Sequence, residues 1–179
     1  MSDSVLAASI GASVTLVVAF LTQFLAESYK RFRDGAAVAG GIAGELSTYD
    51  GAPSVLRKMI LGWVVEARAG RHLMLPLRPI DRPTDLYFDK AVEKFGLLSP
   101  DMIEHTVFVY THLRAYRLGL EILQQGYKEM TAEEFIGRCA RILEMLDRAE
   151  GRALFLVPHL RYRAKAWFLS PEQVLPKPE

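Results

Sequence analysis

The residues whose types first invite chemistry are Asp101, His105 and His112, because carboxylate and imidazole together bind divalent metals. If the segment after Pro100 is helical, they fall at about 0°, 40° and 20° around its axis and share one face. Asp101 and His105 are one turn apart, but His112 lies almost two turns further on, about 10 Å along the axis. One ion with ligand distances of ~2 Å cannot bridge that gap unaided. The expectation is therefore a partly exposed polar flank, with Asp101 favouring the helix N-terminus and no metal. Cys139 is the single cysteine of the chain, which excludes an internal disulfide framework and a Cys-rich zinc site. A nucleophilic thiol needs a neighbouring base and some exposure. The apolar neighbours of Cys139 at helical spacing predict a buried, inert one. No GxGxxG, P-loop, HExxH or GxSxG motif occurs. No catalytic, cofactor-binding or metal residue is assigned, no cofactor is expected, and the chain is not expected to be an enzyme.

Charge is more informative. The 179 residues carry 22 Lys+Arg and 21 Asp+Glu, a net charge of +1, with 50% hydrophobic residues and a mean hydropathy of +0.11. Near-neutrality argues against a nucleic-acid binder, and the apolar content excludes a disordered chain. The charges are nevertheless segregated. Arg57, Lys58, Arg68, Arg71, Arg78 and Arg82 stand against Glu66 and Asp81, and Arg152, Arg161, Arg163 and Lys165 have no acid among them, whereas the stretch from Asp85 to Glu104 holds five acids and two lysines. This predicts a bipolar surface with its basic side suited to an anionic membrane leaflet. Tyr162, Trp167 and Phe168 lie among Arg161, Arg163 and Lys165, and aromatic rings favour the headgroup level. Anionic-lipid contact is accordingly assigned to Lys30, Arg31, Arg33, Arg161, Arg163, Lys165 and Trp167.

The element that would bring such a surface to a membrane is at the N-terminus. From Ser4 to Ala26 there is no charged side chain, and as a helix this run is about 34 Å long against a hydrocarbon core of ~30 Å. It reads as a transmembrane helix. A secretory signal would carry a basic n-region, and here the side-chain charge before the run is Asp3 alone. Lys30, Arg31 and Arg33 follow directly, so the positive-inside rule predicts an outside N-terminus and a cytoplasmic remainder, a reducing compartment that suits a lone cysteine. Ala8, Gly11, Ala12, Thr15 and Ala19 form a small-residue ridge on this helix, and Ala36, Gly40 and Gly44 form a second ridge just beyond it. Such ridges let helix backbones approach closely.

The rest of the chain reads as helices. A break at Asp50-Gly-Ala-Pro53 precedes a helix over about 54–69, with Val55, Ile60, Trp63, Val64 and Ala67 inward. The proline-studded stretch from His72 to Pro83 should run extended across the bundle, its Leu73, Met74, Leu75, Leu77 and Ile80 packed. A short helix over about 84–95 follows. Ser99-Pro100 starts a long helix to about Gly126, with Met102, Val109, Leu113, Tyr116 and Leu120 inward. Thr131-Ala-Glu-Glu134 is a capping box for a last helix with a stripe of Phe135, Ile136, Cys139, Ile142, Leu143 and Leu146. Pro158 should kink or interrupt that helix.

The layout resembles a set of bacterial single-span proteins of no assigned activity. The resemblance is carried by the N-terminal anchor, the small-residue segment ending at Gly44-Glu45-Leu46, and Lys94-Phe-Gly-Leu-Leu-Ser-Pro-Asp101 entering a long helix. It implies an all-α protein in the bacterial inner membrane, with an N-terminal transmembrane helix followed by a small cytoplasmic helical bundle. The expected divisions are an anchor over 1–28, a juxtamembrane helix over 29–50, a helical domain over 51–169 and a flexible tail over 170–179. The expected function is a membrane-tethered interaction or structural protein, such as an accessory subunit of a membrane complex, and the alternative is an anchored ligand-binding sensor. The expected partners are membrane lipid and either other membrane subunits or a second copy, not nucleic acid.

Overall fold

The computed structural model describes residues 3–77 and 85–170, with side chains from Gly11 onward. Five α-helices account for most of it: α1 Asp3–Ser47, α2 Ala52–Arg68, α3 Leu86–Ala91, α4 Pro100–Gly126 and α5 Ala132–Lys165. Short 3₁₀ turns occupy His72–Met74 and Val92–Leu97, and no strand occurs among the described residues.

The helix starts follow their local chemistry. Gly51 takes φ +78, a left-handed turn that favours glycine, and Pro53 sits in the first turn of α2. Pro100 opens α4 after an extended Ser99. The Thr131 hydroxyl accepts the Glu134 N–H at 3.2 Å, the first half of the expected capping box.

The antiparallel pair of α4 and α5, joined by a short turn, is the spine, and two cores lie along it. In the first, Val38, Ala39, Ile42, Ala43 and Leu46 of α1 meet Phe88, Phe95, Leu98, Met102, Val109, Tyr110, Leu156 and Leu160. In the second, Ile60 and Ala67 of α2 meet Tyr116, Leu120, Leu123, Phe135, Cys139, Ile142 and Leu146. Each large apolar side chain buried this way contributes roughly 1.5–3 kcal/mol, so α1 is integral to the bundle rather than appended to it. Anchor and juxtamembrane segment are one uninterrupted helix of 45 residues, with no break at 28.

Several expectations need correction. Pro158 does not interrupt α5, which runs on to Lys165; fully buried Leu156 and Leu160 on either side hold the helix to the core and offset the missing hydrogen bond. Val55 points away from the core and is exposed. In the proline-rich stretch, His72–Met74 is helical, and Leu73 and Met74 are exposed, while Leu75 and Leu77 pack on the second core. The short helix is α only over Leu86–Ala91 and then tightens to a 3₁₀ turn. Ile80, Arg78 and Arg82, together with the tail from 171, lie outside the described residues.

Candidate functional site

The feature most unlike a soluble protein is the first half of α1. Every side chain from Gly11 to Glu27 is exposed, including Leu16, Val17, Val18, Phe20, Leu21, Phe24 and Leu25. This is one helix long and apolar enough to cross a membrane, with an 18-residue window of mean hydropathy 1.4 and none of that window buried. Two of its polar side chains are satisfied without water: the Thr15 hydroxyl donates to the Gly11 carbonyl at 2.9 Å and Thr22 to Val18 at 2.8 Å. A hydroxyl that bonds its own helix loses little by leaving water.

The two small-residue ridges fall in different surroundings. Gly11 has open space among the described residues where a side chain would stand, and Ala12, Thr15 and Ala19 are exposed; the Ala8 side chain lies outside the described residues. In the second ridge Ala36 is half-buried, a Cβ on Gly40 would stand 3.4 Å from the Ala164 Cβ of α5, and Gly44 is open. The closest approaches fall on neighbouring glycines instead. A Cβ on Gly35 would stand 2.6 Å from the Leu97 carbonyl, and one on Gly41 would land inside the Tyr87 ring.

A polar latch fastens the end of α1 to α3 and α4. The Glu45 carboxylate accepts the Tyr87 and Phe88 N–H groups at 2.8 and 3.0 Å and the Tyr110 hydroxyl at 2.6 Å. It thereby caps α3, whose own N-cap residue Asp85 makes no side-chain cap. Asp85, with a side chain only 2% exposed, is instead clamped by Arg117 at 2.8 and 2.9 Å and Arg114 at 3.0 Å. Arg117 also donates to the Tyr49 hydroxyl at 2.8 Å. Burial alone would raise the Asp85 pKa, but its two arginines outweigh burial and hold the carboxyl below the usual range. Burial, then the Glu45 hydrogen bond, pushes the Tyr110 hydroxyl well above its ordinary value. The latch was not legible in sequence; Glu45, Asp85, Arg114 and Arg117 share no spacing that marks them as partners. Asp85 is thus part of an internal pair and not of an acidic outer face. The basic group is also partly spent internally, since Arg57 reaches Glu150 at 2.7 Å and Asp147, and Arg71 reaches Glu66 at 2.7 Å.

The residues weighed for chemistry are dispersed. His105 is buried, not on an exposed flank, with Nδ1 3.3 Å from Arg152, while His112 stacks on Phe108 and Asp101 is exposed. No group of three or more metal-type side chains occurs among the described residues. Cys139 is buried, and its surroundings push the thiol up to about 12.

A cavity of about 250 Å³ opens between the end of α1, the start of α2, and α4 and α5. Val109, Leu113, Ala153 and Val157 contribute apolar wall, and Glu150 and Arg161 stand among its polar lining. Arg161 donates to the Ser47 hydroxyl at 2.7 Å. Two residues further along α5, Arg163 stacks 4.2 Å over the Phe32 ring, and beyond the helix Phe168 meets Tyr29 and Phe32 edge-on. Of the residues assigned to lipid contact, Lys30, Arg31, Arg33, Arg161, Lys165 and Trp167 stand exposed, although Arg161 also bonds Ser47, whereas Arg163 is half-buried and bonds the Phe32 carbonyl.

No protein-family model matches the chain, and no curated protein or solved structure matches it either. The class defined by fold and site is an all-α bundle continuous with one exposed apolar helix.

Proposed function

We propose that this protein is a membrane-tethered interaction or structural protein, an accessory subunit that holds a helical bundle in a set pose at the cytoplasmic face of a bacterial inner membrane. The observation that carries the reading is α1: its first half is apolar and unburied, its second half is core, and no break separates them. A bundle built onto the anchor in this way cannot swing freely, which suits positioning a partner better than exploring the cytoplasm. Support also comes from α4, where Val107, Thr111, Ala115, Leu118 and Ile122 are all exposed and fall within about 80° of arc. The test is cross-linking in intact membranes followed by purification. A defined partner or second copy should be recovered at fixed stoichiometry, and Leu118→Glu with Ile122→Glu should abolish recovery while leaving the melting temperature within a few degrees. Recovery of the uncross-linked chain alone would defeat the reading.

The cavity favours a second reading, an anchored sensor that takes a small ligand between its helices. A thermal shift with a metabolite, lost when Ala153 is enlarged to Phe, would support that alternative.

A further inference from the structure

We propose that the turn Ala166–Ser170 rests on the bilayer, with Trp167 and Leu169 inserted at the headgroup level of an anionic leaflet. The proposal rests on α1 spanning the membrane, as above, and adds a second, sequence-distant point of lipid contact. Past Ala164 the chain travels along α1 toward its apolar half. Ala164 lies against Gly40, Arg163 stacks on Phe32 and donates to its carbonyl at 3.2 Å, and Phe168 touches Phe32 and then Tyr29.

Depth follows from helix geometry. Tyr29 is four residues beyond Leu25, the last large apolar residue of the exposed run, or about 6 Å along the axis. The polar layer on each side of the hydrocarbon core is roughly 5–7 Å thick. Phe168 therefore meets α1 at headgroup depth, and its neighbours must lie close to that plane. These neighbours are the anomaly: Trp167 is 74% exposed and Leu169 80% exposed, two large apolar side chains flanking one anchored ring. The Trp167 N–H bonds the Ser170 hydroxyl at 3.1 Å and the Ser170 N–H bonds the Trp167 carbonyl at 2.9 Å, so the turn is closed and its backbone is partly satisfied. A tryptophan with an apolar body and one N–H donor suits the boundary between chains and headgroups. The charge at this level selects the leaflet: Lys30, Arg31, Arg33 and Lys165 are exposed there against Glu27 and Asp34. A lipid surface is favoured over a protein partner because the span puts the bilayer at this height.

The sequence holds two tryptophans, so Trp63→Phe leaves Trp167 as the lone reporter. The full chain carrying that change is reconstituted into vesicles of phosphatidylcholine with and without phosphatidylglycerol, with lipid chains brominated either near the headgroup or near the chain end. Flotation with the vesicles after alkaline extraction reports the span independently. The expected result is blue-shifted Trp167 emission, quenched more by shallow than by deep bromines, and quenched at least about two-fold more in the anionic vesicles. Protein that floats but shows water-like emission indifferent to bromine position overturns the contact while leaving the span intact. Equal quenching in neutral and anionic vesicles overturns the choice of leaflet. Protein that fails to float overturns both readings together.

Discussion

Asp85 is where one side chain matters most to the fold. Its carboxylate is buried between Arg114 and Arg117, and removing one partner of such a pair strands the other charges in a site shaped for them. Asp85→Ala should cost about 3 kcal/mol, read as an earlier urea midpoint with an unchanged slope. The same pair sets an acid limit. Because the folded carboxyl sits below its unfolded value of about 3.9, its contribution is complete above that value and disappears as pH falls through the lower folded one. Denaturation followed from pH 7 to pH 2 should show this loss below about pH 4 and little from this group above it. Asp85→Asn should flatten that part of the curve. Cys139 offers a second residue-scale test: a buried thiol pushed up to about 12 is almost wholly protonated at neutral pH, so alkylation of the native chain should be slow and should accelerate on unfolding. The burial of Cys139 was legible from its apolar neighbours at helical spacing. The burial of His105 was not, because α5 supplies the Arg152 and core contacts that cover it.

Among the elements, α1 carries both crowded and open glycines, which allow packing within the chain to be tested apart from any role in assembly. A methyl on Gly41 displaces the Tyr87 ring and its hydrogen bond to the Ala37 carbonyl at 3.0 Å. Gly41→Ala should therefore destabilise the bundle by about 1–3 kcal/mol in spite of better helix propensity, and Tyr87→Ala in the same chain should recover part of that loss. A Cβ on Gly44 or Gly11 would meet nothing within 4 Å among the described residues. Leucine at either should leave the fold intact and raise helix propensity. If the small-residue ridges seat another helix, however, cross-linked dimer or complex should fall sharply for Gly44→Leu or Gly11→Leu at matched expression. Unchanged yields would remove those ridges from the assembly. Pro158 belongs to the same scale: the local rule predicted a kink or an interruption, and there is no interruption, because burial on both flanks sustains α5 as one helix of 34 residues.

For the whole molecule, topology is the quantity to measure. With Lys30, Arg31 and Arg33 following the apolar run, a reporter active only outside the cytoplasm should be silent when fused after Glu179, and one active only inside should work. The reverse pattern would turn the bundle to the other face of the membrane and remove the anionic leaflet from the proposed Trp167 contact. The continuity of α1 adds a mechanical consequence. Two glycines inserted between Glu27 and Ser28 should leave the melting temperature of the bundle nearly unchanged, because the buried stretch starts near Gly35. They should lower Trp167 quenching by lipid, because the bundle could then tilt away from the surface.

What sequence determined by itself was whatever depends on neighbours along the chain: the uncharged apolar run, the Ser99-Pro100 and Thr131 helix starts, and the inward stripes of α4 and α5. Hydropathy and capping act over a few residues, so their signals survive without a fold. The tertiary structure alone decided which glycine takes a close approach, Gly41 and not Gly44, because that depends on where Tyr87 arrives from a segment more than 40 residues away. It also decided that Glu45 caps α3, that Asp85 is an internal charge, and that Phe168 docks beside Tyr29 and leaves Trp167 facing outward. Those pairings join residues whose separation in sequence carries no period, and only packing brings them together.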